Sequence, residues 1–259
     1  MTVATSDTPP PGRWSPLRSY ASIAGAGGLA LVAVCALAFP PEARALWLGT
    51  TVLYAAVSVI TAWALRRSFP HGTLGYCNAV TQVRLALLAL VATCLMADPT
   101  PNWAVFTLAT LTFALDGADG WLARREGLVS EFGARFDMEV DSLFALVLAL
   151  GALASGAAGL LILLLGTARY LFWAAHFAWP WLAGPLPERF SRKAVCVAQI
   201  ATLVALQAPG LPPLLGQAAT VAVALILLWS FERDIRWQWQ RHRATQGRPS
   251  HAEGTDFTP

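Results

Sequence analysis

Four aspartates stand at helical intervals in the stretch DGADGWLARREGLVSEFGARFDMEVD, residues 116–141. Asp116 and Asp119 are three residues apart, about 60° around a helix, and Asp137 and Asp141 are four apart, about 40°, so each pair shares one helix face. Gly127 and Gly133 lie between the pairs and allow a turn, so two helices can return side by side and bring the four carboxylates together. Four negative charges at such range repel strongly in a low dielectric. A buried carboxylate is tolerated only when paired or bound to a cation. Divalent cations resolve the conflict, and all-oxygen ligation favours Mg²⁺ or Mn²⁺ over Zn²⁺. Two ions bridged by carboxylates form the arrangement used for displacement at phosphorus.

Neighbouring residues suit that chemistry. Gly117 and Gly120 remove side chains where a ligand or a helix must come close. Arg124, one turn beyond Gly120, can meet a phosphate oxygen, and Ser130 offers a hydroxyl in the connecting segment. Any one of these aspartates could equally be a solvated charge or a helix cap. Matched spacing of the whole set with Gly and Arg favours ligation.

The elements that must hold these residues are membrane helices. With 259 residues, 56% hydrophobic and only 13% charged, the chain is too apolar for an ordinary soluble domain. Its 11 Trp fit a protein with two membrane–water interfaces. Eight apolar runs approach the ~20 residues a spanning helix needs: Tyr20–Phe39, Ala45–Leu65, Asn78–Ala97, Trp103–Leu122, Gly133–Leu153, Gly156–Ala178, Lys193–Gln207 and Pro213–Phe231. Residues 1–19 read as a disordered tail rather than a signal peptide, because a full-length apolar run follows without a convincing cleavage site. Of the 18 Lys and Arg, only Arg44 falls on one side of this eight-span map. The positive-inside rule then puts both termini and the aspartates on the cytoplasmic face. The tail RWQWQRHR reads as an interfacial anchor on anionic lipid, not a nucleic-acid site. Cys35, Cys77, Cys94 and Cys196 lie at no metal-ligand spacing and read as buried, inert thiols.

Written as spacing, the stretch is D-x₂-D-G-x₂-A-R-x₈-G-x₃-D-x₃-D, on Asp116, Asp119, Gly120, Ala123, Arg124, Gly133, Asp137 and Asp141. It resembles the signature of the CDP-alcohol phosphotransferases at every position. The resemblance implies an all-α integral membrane protein. Its six-helix catalytic domain would cover 73–231, two extra N-terminal transmembrane helices 20–72 and a basic cytoplasmic tail 232–259. It implies transfer of a phosphoalcohol group from a CDP-alcohol to a second alcohol, with release of CMP. By position, Asp116, Asp119 and Asp137 would ligate two metals with Asp141 assisting, and Asp141 would take the proton from the attacking hydroxyl. Gly120, Arg124 and Ser130, with Asp116, Asp119, Asn78 and Thr81, would hold the cytidine nucleotide. Upstream, Asn78, Thr81 and Arg84 form N-x₂-T-x₂-R, similar to the family's pattern opening its first core helix. Downstream, RFSRKAVCVAQ resembles the basic segment before the fifth core helix, with Lys193 at the lysine position and Arg192 where Gly is usual.

For the acceptor, Arg84, Arg169, Arg189, Arg192 and Lys193 are the phosphate-binding candidates if they line a pocket. Against a phosphorylated acceptor, Ser142 follows Asp141 where relatives using one often carry a basic residue. Three readings stand. CDP-diacylglycerol gives its phosphatidyl group to a small polar alcohol at the inner membrane, which is the preferred one. A choline- or ethanolamine-type CDP-alcohol gives its headgroup to diacylglycerol. A cation transporter uses intramembrane carboxylates, but that leaves Gly120, Ala123, Arg124 and Gly133 unexplained. The expected partners are these substrates and membrane lipid, with no nucleic acid, in a chain that is compatible with a homodimer.

Overall fold

A computed structural model describes residues 16–100, 102–184 and 189–246, apart from the side chains of residues 119, 183 and 244–246. The fifteen residues before Pro16, most of the expected N-terminal tail, lie outside it. Each apolar run becomes one helix: α1 Pro16–Ala38, α2 Arg44–Ser68, α3 Gly75–Met96, α4 Asn102–Glu126, α5 Glu131–Ala154, α6 Ile162–Ala178, α7 Phe190–Ala205 and α8 Pro213–Gln246. Short 3₁₀ turns cover Pro41–Ala43 and Pro180–Ala183, and no strand occurs among the described residues.

Among the described residues, four helices have the length and apolar composition to cross a membrane: α1, α2 with the turn before it, α3 and α8. The other four are shorter or more polar. Helices α4 and α5 are 25 and 24 residues long but carry the acids at one end, and α6 and α7 have 17 and 16 residues. Large apolar side chains stand outward on the long helices, among them Leu29 and Leu37 on α1, Leu53 and Ile60 on α2, and Leu214 and Leu225 on α8. A surface of that kind is stable only against an apolar solvent. The helices therefore fit a membrane protein.

Helices α3 and α5 form the centre. Helix α3 packs along α4, α5 packs along α6, and α1 with α2 lean on α3. The α5–α6 crossing is so close that a Cβ on Gly166 would fall 2.5 Å from the Ala149 Cβ and 3.2 Å from the Ala145 carbonyl oxygen. Small residues let two backbones approach where lipid gives no hydrophobic drive to bring them together.

Three details depart from the sequence reading. Helices α4 and α5 do not return side by side but each pack against α3. Three cysteines are buried as expected, but Cys196 is exposed on α7. Helix α8 continues fifteen residues past Phe231, through the basic segment. That extension docks: Gln238 Nε2 donates to the carbonyls of Leu182 and Gly184, both at 2.9 Å, and the Trp181 and Trp239 rings meet edge-on at 5.2 Å.

Gly166→Val should overpack the α5–α6 crossing and lower stability by about 1–3 kcal/mol. Thermal unfolding of the purified protein in detergent checks this, with an unchanged midpoint counting against the close crossing.

Candidate active site

The turn joining α4 to α5 is built from local backbone requirements. Gly127 takes φ +65°, a left-handed conformation that costs a side-chain-bearing residue energy, and Leu128 N–H closes back on the Ala123 carbonyl at 3.1 Å. Arg124 and Arg125 sit in the last turn of α4, where cations complement the helix dipole. Ser130 then caps α5 by accepting from the Gly133 N–H at 3.1 Å. The same turn holds the start of α3, since the Glu126 carboxylate accepts the Tyr76 N–H at 3.0 Å. Three helix ends are thereby tied together at one end of the bundle.

The acids gather just inside that end. Asp116 on α4 and Asp137 and Asp141 on α5 each place a carboxylate oxygen within 4.8 Å of the others. Their side chains are about one-third exposed, whereas Arg84 on α3 is 1% exposed. Arg84 reaches into the middle of them. Its Nη2 lies 2.8 Å from Asp116 Oδ1 and also pairs with Asp141 Oδ1, while Nη1 lies 2.5 Å from Asp137 Oδ1. A buried guanidinium forks naturally toward several carboxylates, and here it compensates part of the charge that the sequence left to metal ions. Asp119 belongs to α4, and its side chain lies outside the described residues.

Asn78, Thr81 and Arg84 follow at intervals of three on α3, all buried. The Asn78 amide donates to the Leu74 carbonyl at 2.7 Å, and the Thr81 hydroxyl donates to the Cys77 carbonyl at 3.1 Å. A Cβ on Gly133 would lie 3.2 Å from both Asn78 Oδ1 and Ser130 Oγ, so the glycine allows α5 to begin against α3. Gly120 lies under the Arg124 guanidinium, whose Nη1 would be 3.6 Å from a Cβ there. Arg124 is itself exposed.

Beside the acids lies a cavity of about 310 Å³ between α5, α6, α7 and α8. Asp141 and Ser142 form its wall on α5, with Arg169, Arg192 and Asp234 on the opposite helices. Two of the basic candidates thus line it. Arg169 is paired with Glu139, and Arg192 Nε donates to Asp234 Oδ2 at 2.9 Å. Arg189 faces the same Asp234 at 4.0 Å, Lys193 is exposed, and Arg84 serves the aspartates.

Sequence reasoning did not single out Glu126, Glu139 or Asp234. Asp234 gave one faint signal, a lone acid between Arg233 and Arg236 where the apolar run ends.

The family model for CDP-alcohol phosphatidyltransferase matches residues 74–230, from just before α3 well into α8. The chain belongs to the CDP-alcohol phosphatidyltransferase family. Neither a curated protein nor a solved structure matches it. Membership makes the chain a transferase of phosphate groups, and Asp116, Asp137 and Asp141 could bind a metal ion in this phosphatidyltransferase. Helices α1 and α2 lie outside the matched region.

Replacing Arg84 with Met should remove its guanidinium from three close carboxylates and destabilise the metal-free protein by on the order of 2 kcal/mol, a buried-pair effect reduced by the acids' partial exposure. Added Mg²⁺ should then raise the unfolding midpoint more in the Arg84→Met variant than in wild type. An equal rise in both would show that arginine and cation do not serve the same charges.

Proposed function

We propose that this phosphatidyltransferase moves a phosphatidyl group from CDP-diacylglycerol to a small polar alcohol, releasing CMP, in phospholipid biosynthesis. The observation that carries the reading is the double position of Asp141, which belongs to the carboxylate cluster and also lines the cavity. A hydroxyl held in that cavity meets a base at the edge of the site where a diphosphate would be bound.

The donor set fits Mg²⁺ or Mn²⁺, since it offers only hard carboxylate oxygens at ligating separation. Asp116, Asp119, Asp137 and Asp141 would hold two such ions, which when bound neutralise the diphosphate and stabilise the departing phosphate oxygen. Asp141 accepts the proton as the acceptor oxygen bonds to the β-phosphorus and the bond from that phosphorus to CMP breaks. Arg84 keeps Asp116, Asp137 and Asp141 oriented toward one point. Gly120, Arg124, Ser130, Asn78 and Thr81 would receive the cytidine nucleotide, with Gly120 leaving room for close approach. The six helices α3 to α8 form the catalytic core, with α1 and α2 as additional spans. The sorting of basic residues supports an inner-membrane protein with both termini and the site cytoplasmic.

A second reading, with a water-soluble CDP-alcohol as donor and diacylglycerol as acceptor, draws support from the apolar part of the cavity wall, Leu165, Val195, Ile200 and Leu227. Donor competition separates the two. CMP release from labelled CDP-diacylglycerol and an alcohol panel supports the first, and release only from CDP-choline or CDP-ethanolamine with diacylglycerol supports the second.

In the assay, chelator should abolish CMP release and Mg²⁺ or Mn²⁺ should restore it. Asp141→Asn should reduce turnover about 10²–10⁴-fold, the usual contribution of a positioned base, with nucleotide affinity largely kept. Asp116→Asn should lose both. Equal losses of nucleotide affinity in the two variants would make Asp141 one more ligand.

For topology, a cysteine at Asn102 should be labelled from outside intact cells and one at Gln240 only after permeabilisation. The reverse pattern would invert the map.

A further inference from the structure

The cavity beside Asp141 carries a second acid, Asp234, for which the transfer reaction itself has no need. We infer that Asp234, working with Arg192, selects an acceptor that presents free hydroxyl groups and rejects one that presents a phosphate. The inference rests on the transferase reading above and deepens it by naming the acceptor class.

The first ground is charge. Among the described residues, four charged side chains line the cavity: Asp141 and Asp234 against Arg169 and Arg192. Both arginines already have acidic partners. Arg169 pairs with Glu139, and Arg192 donates through Nε to Asp234 Oδ2 at 2.9 Å. Arg189 approaches the same carboxylate, at 4.0 Å from Oδ1. Asp234 is 4% exposed, so its charge is poorly screened by water. A phosphate entering here would compete with these acids for the guanidinium groups and would approach two carboxylates of its own sign.

The second ground is hydrogen bonding. Arg192 Nη2 and Asp234 Oδ1 are both buried with no hydrogen-bond partner among the described residues. One is a donor and the other an acceptor, on adjoining residues of the cavity wall. Both atoms are closed off from the cavity as they stand, and a small rotation of the two side chains lets a hydroxyl accept from the first and donate to the second, whereas a phosphate dianion offers acceptors alone. Buried polar groups are normally satisfied, so this unused pair points to a ligand group of both kinds. Neutral polar groups complete the wall in Ser142, Gln199 and Ser230. The Ser142 hydroxyl spends its proton on the Met138 carbonyl at 2.7 Å, which leaves its lone pairs for a second ligand hydroxyl. The cavity, about 310 Å³, suits a small polyol. One hydroxyl would react at Asp141 while another is held at Asp234 and Arg192.

The test uses the full chain purified in detergent with CDP-diacylglycerol and Mn²⁺. Acceptors are offered in matched pairs, glycerol with glycerol 3-phosphate and inositol with inositol 1-phosphate, and CMP release gives kcat/KM for each. Wild type should favour at least one free polyol over its phosphate by tenfold or more. Asp234→Asn should shrink that preference at least tenfold, mainly through a lower KM for the phosphorylated acceptor, and Glu139→Gln should shift it the same way by freeing Arg169. The wild-type ranking needs no variant to fold. Higher kcat/KM for the phosphorylated member of both pairs would overturn the inference while upholding the transferase reading, and so would an unchanged ratio in a folded Asp234→Asn protein. No CMP release from CDP-diacylglycerol with any acceptor would overturn the transferase reading, and this inference with it.

Discussion

One guanidinium holds the site together. Arg84 is buried on α3 and pairs with carboxylates from α4 and α5, so three helices meet through a single charged group. Carboxylates this close repel, and the cost rises as the surroundings become less polar. The cluster therefore sits where the aspartates keep about one-third exposure while the arginine is fully enclosed. Asp137 and Asp141 share a face of α5 because they are four residues apart, and Asp116 meets them because α4 and α5 both pack against α3. Arginine makes the cluster tolerable in the folded chain by compensating part of its charge.

Rigidity behind Arg84 comes from helices outside the family core. Gln82, two residues before it, is 1% exposed and faces α1 and α2. It accepts from the Tyr20 hydroxyl at 2.7 Å and donates to the Tyr54 and Ser58 oxygens, each at 2.9 Å. Tyr54 in turn donates to the Ala24 carbonyl at 2.8 Å. Hydrogen bonds between helices resist sliding because a displaced polar group finds no water in a bilayer. Tyr20 also meets Phe136 edge-on at 6.3 Å, next to Asp137. The two added helices thus brace both α3 and α5 on the faces away from the acids.

Much of this was legible in the sequence. Eight apolar runs became eight helices because hydrophobic length dominates where backbone groups must satisfy themselves. The spacing foretold that Asp137 and Asp141 share one face of α5, since helical periodicity carries over from sequence to space, but Asp116 joins them through the packing of α4 and α5 on α3 rather than through a side-by-side return of the two helices. Pairings between distant residues were hidden. Arg84 and Asp141 are 57 positions apart and Arg192 and Asp234 are 42 apart, and no local pattern announces such contacts. Ser130 was legible as a hydroxyl, but its use as the α5 cap depended on where the helix began. Helix α8 outran its apolar run because docking of Gln238 and Trp239 onto the Pro180–Ala183 turn sustains it.

The central claim is that the Arg84-centred carboxylates form a divalent-metal site for the nucleotide. Titrating Mn²⁺ into the purified full-length protein with CDP present, and counting bound ions by electron paramagnetic resonance, tests it most directly. The account predicts about two ions per chain, close enough for their spins to couple, and a loss of that coupled signal in the Asp116→Ala/Asp137→Ala double variant. No protein-bound Mn²⁺ in wild type, or the same binding in the folded double variant, would contradict it.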